Sequence, residues 1–126
     1  MKSFIGNIED LTDRNDDFRR VVHTGSHMQL VLMTLRPGED FREEMHGDTD
    51  QFFRIEEGRG EVVIQGHATP VESNTVVIVP AGARHNLRNT GYGPLRFYSL
   101  YAPPQHPDGT LHRTKADADR AEHGAV

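Results

Sequence analysis

Residues 37–58 read PGEDFREEMHGDTDQFFRIEEG and combine strand-like alternation with closely spaced polar side chains. In an extended strand alternate side chains share a face, so Glu44 and His46 are expected to point the same way. After the polar turn at 47–50, the alternation resumes at Gln51. An antiparallel return of the chain would bring the amide oxygen of Gln51 beside Glu44 and His46. Three potential metal donors are therefore predicted to converge in this stretch.

A second stretch, VPAGARHNLRN at residues 79–89, supplies a fourth donor. Its proline and glycine predict a turn that places His85 at the start of another strand. Carboxylate, imidazole and amide oxygen together suit divalent Mn, Fe, Co, Ni or Zn. Because the chain has no cysteine, any metal must use nitrogen and oxygen ligands. The residues predict one divalent ion held by Glu44, His46, Gln51 and His85; the alternative is a set of polar strand residues linked by hydrogen bonds.

The spacing of these residues resembles the two motifs of the cupin superfamily. The first motif reads Gly, five residues, His-x-His, three or four residues, Glu, six residues, Gly, and the matching positions here are Gly38, Glu44, His46, Gln51 and Gly58. The second reads Gly, five residues, Pro-x-Gly, two residues, His, three residues, Asn, and the matching positions are Asn74, Pro80, Gly82, His85 and Asn89. With their flanking strands, the motifs cover about two thirds of the chain, which makes the resemblance specific.

Three positions depart from the family pattern. Asn74 stands in place of a glycine, Glu44 in place of the first histidine, and Gln51 in place of the glutamate. One carboxylate is kept at a different position, and a neutral amide is a weaker donor than a carboxylate. The resemblance implies an all-β, single-domain antiparallel β-barrel of jelly-roll type that holds the metal in its interior.

The resemblance implies the fold more firmly than the activity, because cupins include dioxygenases, decarboxylases, isomerases, cyclases and non-catalytic binders. With a dication, the single charge of Glu44 leaves the ligand set at about +1, which favours a small anionic or oxygenated substrate. We expect a metal-dependent enzyme that uses its ion as a Lewis acid, with isomerase, lyase or dioxygenase chemistry. The alternative is a non-catalytic small-molecule-binding or structural cupin, for which the altered residues Glu44 and Gln51 are the main support. The chain also resembles small bacterial cupins described as similar to mannose-6-phosphate isomerase, a likeness of fold and metal motif.

Composition narrows the class of partner. The 126 residues carry 14 Lys and Arg against 19 Asp and Glu, a formal charge of −5 without a basic cluster, which argues against a nucleic-acid partner. The chain has neither an apolar leader segment nor an apolar run of about 18 residues, so no membrane association is expected. A cytoplasmic protein with a small-molecule ligand is the prediction.

The pattern along the chain predicts one domain, residues 1–126, made of a β body with two ends. Residues 1–17 are polar with isolated apolar anchors and are expected to form an irregular arm across the body. The body, about 18–102, holds roughly seven to nine short strands separated by turns. In the tail, 103–126, prolines are expected to stop the strands, and the stretch 115–122 is either a short helix or a disordered end.

Several other residues carry weaker predictions. Arg84, beside His85, is the arginine best placed to steer an anion, and the hydroxyl of Tyr101 is a candidate proton donor. Asn89 is expected to fix a strand end by side-chain hydrogen bonds rather than to contact substrate. Phe41 is expected to pack beside the site. Surface or turn positions are expected for most of the other histidines, which are His23, His27, His67, His106, His112 and His123.

Two apolar strands predict a homodimer. Residues 29–35 read QLVLMTL and residues 75–79 read TVVIV, more apolar surface than one thin barrel wall buries. The second run is typical of a strand buried on both faces or of one at a subunit contact.

Overall fold

Nine antiparallel strands and two helices form the part of the chain that the computed structural model describes, residues 2–123. The strands are β1 (Arg19–Thr24), β2 (Gln29–Leu35), β3 (Asp50–Glu57), β4 (Arg59–Ile64), β5 (His67–Glu72), β6 (Val76–Val79), β7 (His85–Asn89), β8 (Leu95–Ala102) and β9 (Leu111–His112). The helices are α1 (Ile8–Asp13) and α2 (Lys115–His123). Met1, residues 124–126 and the side chain of His123 lie outside the described residues, so the predictions that reach them stop at this limit.

The strands lie in two sheets. Six strands form one sheet in the order β6-β3-β8-β2-β1-β9, and three form the other in the order β5-β4-β7. All pairings between these strands are antiparallel. The sheets are not hydrogen-bonded into a closed barrel; residues of both contribute to one core, as in a jelly roll. The predicted all-β antiparallel jelly-roll class is confirmed.

The core lies between the sheets and follows the period-two pattern of the sequence. On β8 every second side chain from Leu95 to Tyr101 is buried, and β3 buries Gln51, Phe53 and Ile55 on one face. Alternate residues point to opposite sides of a sheet, so one face of each strand meets the other sheet. Polar Gln51 therefore lies in line with apolar core residues, where it needs polar partners.

The described parts of the arm and the tail, residues 2–17 and 103–123, are more ordered than the sequence indicated. The arm contains α1, whose first turn is capped by the Asn7 side chain accepting a hydrogen bond from the Asp10 amide at 2.9 Å. The tail returns along β1 as β9 and continues into α2, which buries Ala118. The expectation that the strands end at residue 102 is wrong by this one short strand. Of the two alternatives for residues 115–122, the structure shows the helix.

One other local prediction is corrected by the structure. Residues 38–46 do not form a regular strand; they pair with β7 only through isolated bridges, Asp40 to Arg88 and Glu44 to His85. For residues 75–79 the structure removes one of the two alternatives: β6 is not buried on both faces, because Ile78 is 67 % exposed on the face that points away from the core. The other alternative, a strand at a subunit contact, stays a prediction. No helix in residues 2–123 has the length and apolarity needed to cross a membrane.

Candidate metal site

Backbone pairing brings Glu44 and His85 together. The Glu44 amide donates to the His85 carbonyl at 2.8 Å, and the His85 amide donates to the Glu44 carbonyl at 2.9 Å. Two residues that exchange both backbone hydrogen bonds have side chains on the same face, about 5.5 Å apart at Cα. The structure thus places Glu44 opposite His85 on β7, rather than opposite Gln51 across the turn at 47–50 as the sequence indicated. His46, two residues on, shares that face.

Gln51 reaches the same place from the larger sheet. It lies opposite Tyr101 in the pairing of β3 with β8 and is 1 % exposed. Its amide nitrogen donates to the hydroxyl of Tyr101 at 3.2 Å and to that of Ser99 at 3.4 Å. These two bonds orient the amide, so its oxygen points away from them toward His85, 2.7 Å from Nε2.

The contacts of His85 leave a lone pair in the site. Its Nδ1 donates to the carbonyl of Ala83 at 3.0 Å, an arrangement typical of metal-binding histidines. Nε2 lies 2.7 Å from the amide oxygen of Gln51, inside the core. In the neutral ring this tautomer leaves a lone pair on Nε2, so Nε2 and the amide oxygen can both serve as ligand atoms for one cation, whereas a proton on Nε2 makes the contact a hydrogen bond.

Glu44 and His46 complete the group. Glu44 Oε2 lies 2.8 Å from His46 Nε2 and 3.9 Å from His85 Nε2. Donor atoms about 2.1 Å from one ion are roughly 3 Å apart when adjacent and about 4 Å when opposite, so these separations suit a shared ion. Burial would raise the pKa of Glu44, but the hydrogen bond from His46 and the charges of Arg19 and His46 lower it, and the carboxylate stays ionised as a ligand must.

The site is closed on one side and open on the other. The side chains of Glu44 and His46 are 15 % and 17 % exposed, whereas His85 and Gln51 are buried. Phe41 packs edge-on against the ring of His85, with centroids 5.8 Å apart, as expected from the sequence. Glu44, His46 and His85 each bring a ligand atom within 4.8 Å of the others, and Gln51 adds its amide oxygen. All four predicted residues therefore come together.

Two residues that sequence reasoning missed lie beside this group. Arg19 is 5 % exposed, with Nη2 3.7 Å from Glu44 Oε1. His106 lies in the loop after β8, and its ring packs edge-on against Tyr101 with centroids 5.1 Å apart, a contact that the sequence did not predict. Burial lowers the pKa of His106 to about 4, so it is neutral at pH 7. The alternation of β1 held a signal for Arg19, because it shares the inward face with Val21.

Arg84, which the sequence favoured as the arginine for an anion, has an exposed side chain. It lies 3.5 Å from the carboxylate of exposed Glu43. Asn89 is buried and bonded to backbone groups, as expected for a residue that fixes a strand end.

Known proteins similar to this chain support the motif reading. The family model described as Cupin domain matches residues 31–101. The uncharacterized protein YrkC of Bacillus subtilis is 48 % identical over 128 residues, covering 96 % of this chain and 68 % of its own. The uncharacterized protein L612 of Acanthamoeba polyphaga mimivirus is 36 % identical over 115 residues, covering 86 % of this chain and 70 % of its own. The crystal structure of BH2720 from Bacillus halodurans is 48 % identical and superposes with a TM-score of 0.92, covering 94 % of each chain. With both motifs in place and the fold matched, this chain belongs to the cupin family.

Proposed function

We propose that the protein is a metal-dependent cupin enzyme in which Glu44, His46, Gln51 and His85 hold one divalent ion. The observation that carries this proposal is the convergence of ligand atoms in the core: His85 Nε2 lies 2.7 Å from Gln51 Oε1, and Glu44, His46 and His85 each bring a ligand atom within 4.8 Å of the others. Glu44 and His46 direct two further donor atoms to the same place. Zn, Ni, Mn, Fe and Co are the ions suited to this nitrogen and oxygen set.

A bound ion would supply Lewis acidity, polarising an oxygen of a small substrate. The chain's own residues would then bind and orient that substrate. Glu44 and His46, on the more exposed side, mark the direction from which it enters. The single carboxylate leaves about one positive charge on the ligand set, which supports an anionic or oxygenated substrate and chemistry of isomerase, lyase or dioxygenase type.

Tyr101 is the residue that supplies a proton in this proposal. It is fully buried, its ring lies 5.8 Å from that of His46, and its hydroxyl accepts a hydrogen bond from Gln51. Burial and the charge of Glu44 raise the pKa of Tyr101 well above 10, so the phenol keeps its proton at neutral pH. The Tyr101 hydroxyl would therefore keep its proton as a hydrogen-bond donor to an oxygen of the substrate.

Metal content tests the proposal. Protein purified without chelator or affinity metal is expected to bind about one equivalent of a divalent ion, which the double variant His46→Ala, His85→Ala loses. A matched control is His27→Ala, His67→Ala, since both of these side chains are exposed. Little metal in the native protein after reconstitution, or equal loss in both double variants, would contradict the proposal.

A non-catalytic binding cupin is the second candidate. The neutral amide of Gln51 at the family's carboxylate position favours it, because an amide oxygen is a weaker metal ligand than a carboxylate and the single anionic ligand has moved to Glu44. Turnover separates the two candidates: a loaded protein that binds small hydroxy acids but converts none of a broad panel of them would favour the binder.

A homodimer is part of the proposal, supported by the outer face of the larger sheet. Val76 and Ile78 on edge strand β6 are 47 % and 67 % exposed, and Phe52, opposite Ile78, packs against Tyr98 at 6.2 Å between centroids. Contiguous exposed apolar area of this kind is typical of a subunit contact. Analytical ultracentrifugation at micromolar concentration is expected to show a dimer that Ile78→Glu dissociates; a native monomer would refute this.

The domain organisation and location complete the proposal. A single domain over residues 1–126 predicts that limited proteolysis removes only terminal residues before the body unfolds. A cytoplasmic location is expected from the sequence, and cell fractionation of the source organism tests it.

A further inference from the structure

Arg19 is a buried cation with too few acceptors. Its Nη2 is 3.7 Å from Glu44 Oε1, beyond hydrogen-bond distance, and its Nη1 is 3.5 Å from Nδ1 of His112. Its Nε is buried and has no hydrogen-bond partner among the described residues. A guanidinium has five N–H donors and is always charged, so burial with one distant carboxylate leaves most of its bonding capacity unused.

His106 adds a second buried polar atom, on the side of the site that Tyr101 lines. Its Nε2 is also without a partner among residues 2–123, and its ring packs edge-on against Tyr101, which in turn contacts the ring of His46. The buried side chain of Gln29 holds the His106 backbone, because it accepts from the His106 amide at 3.0 Å and donates to the His106 carbonyl at 2.8 Å. Each of the two residues therefore contacts a residue of the site and has an unpaired buried nitrogen, which indicates a missing bonding partner.

The charges specify what this partner is. With a divalent ion bound, the charges would be about +2 for the ion, +1 for Arg19 and −1 for Glu44. The site and Arg19 together would then carry a net charge of about +2. No other carboxylate in the described residues lies within 4 Å of Arg19. A buried charge of this size favours an anion, and the Nε edge of a guanidinium matches the two oxygens of a carboxylate.

We propose that Arg19 and His106 form a carboxylate subsite beside the metal, so that the substrate is a small 2-hydroxy or 2-oxo acid whose carboxylate they bind. This inference rests on the proposed function, in which the ion would polarise a neighbouring oxygen of the substrate. Arg19 and His106 bind the substrate and leave the ion to the other four residues. Arg84, the arginine that the sequence favoured, lies outside this subsite.

Glycolate and glycolamide are the probes, because they have the same size and differ in charge. Binding to the Co(II)-loaded protein is measured by visible absorption. Arg19→Met is expected to weaken glycolate binding at least about tenfold with little change for glycolamide, and Arg19→Lys to weaken it less. His106→Asn is expected to weaken glycolate binding severalfold. The matched control Arg84→Met removes the same charge and is expected to change either affinity by less than about twofold.

The outcomes separate this inference from the proposed function. Equal losses for both probes, or no loss in Arg19→Lys and His106→Asn, would overturn the subsite even if Arg19→Met does not fold. Absence of Co(II) binding by the native protein would refute the proposed metal function but not the carboxylate subsite. The subsite is then tested in the metal-free protein by the ¹⁵N–¹H signal of Arg19 Nε during glycolate titration: a saturable shift supports it, and an unmoved signal refutes it.

Discussion

Asn89 ties three parts of the chain together, and its removal should be costly. The residue is 1 % exposed; its amide nitrogen donates to the carbonyls of Leu35 at 2.9 Å and Gly93 at 2.8 Å, and its oxygen accepts from the Gly91 amide at 2.9 Å. Asn89→Ala therefore breaks the links from β7 to the end of β2 and to the loop before β8. The side chain supplies hydrogen-bond partners to two backbone carbonyls and one backbone amide that have no partner in a strand pairing.

The magnitude follows from the number of bonds lost. Three hydrogen bonds at about 1 kcal/mol each give a destabilisation of about 3 kcal/mol, and more if the released groups stay dry. This is a large part of the 5–15 kcal/mol typical of a domain's stability. Asn89→Asp is expected to cost at least as much, because it keeps the acceptor for Gly91 but turns a carboxylate oxygen toward two carbonyls.

Urea denaturation followed by far-ultraviolet circular dichroism measures the change, since the chain has no tryptophan. The matched control is Asn86→Ala on the same strand, whose amide nitrogen makes one long contact of 3.3 Å to half-buried Asp40 and whose amide oxygen accepts from the Leu87 amide at 2.9 Å. It is expected to cost less than Asn89→Ala, because it loses two hydrogen bonds instead of three, and these are only partly buried. An Asn89→Ala variant within 1 kcal/mol of native protein, or no less stable than the control, would refute the reasoning.

Three further predictions concern the turn, the site and its pH dependence. Gly58 has φ of +98°, and a Cβ there would lie 2.5 Å from the Pro94 carbonyl oxygen, so Gly58→Ala should lower the melting temperature strongly. Gly47→Ala, with open space around it, should change it little, and equal effects would contradict the steric argument. Gln51→Glu adds a negative ligand and should raise metal affinity at least about tenfold in chelator competition, while lowering the stability of the metal-free protein; unchanged affinity would count against Gln51 as a ligand. In the metal-free protein, burial lowers the pKa of His106 from 6.5 in the unfolded chain to about 4. The contribution of this neutral histidine to the free energy of unfolding is therefore fully present above pH 6.5, and up to about 3 kcal/mol of it is lost as the pH falls to about 4. His106→Asn should remove this slope in denaturation at stepped pH, and a slope that persists would show another group to be responsible.

The four predicted site residues were accessible from sequence because local rules govern them. Glu44 and His46 share a face at any extended spacing, and Gln51 starts an alternation whose other members are apolar. The turn before His85 is marked by its proline and glycine. Such signals depend on neighbours within a few residues, so the four residues can be predicted without knowledge of the fold.

The sequence by itself determined the antiparallel all-β class, the inward faces of the strands and the four candidate ligands, because each follows from side-chain alternation and short spacings. Only the tertiary structure decided that Glu44 pairs with His85, that Arg19 lies beside Glu44 and that His106 packs on Tyr101. Arg19 and His106 belong to distant parts of the chain, on β1 and in the loop after β8. Their positions beside the site depend on the strand order of the larger sheet and on the bonds of Gln29 to the His106 backbone, which no local pattern encodes.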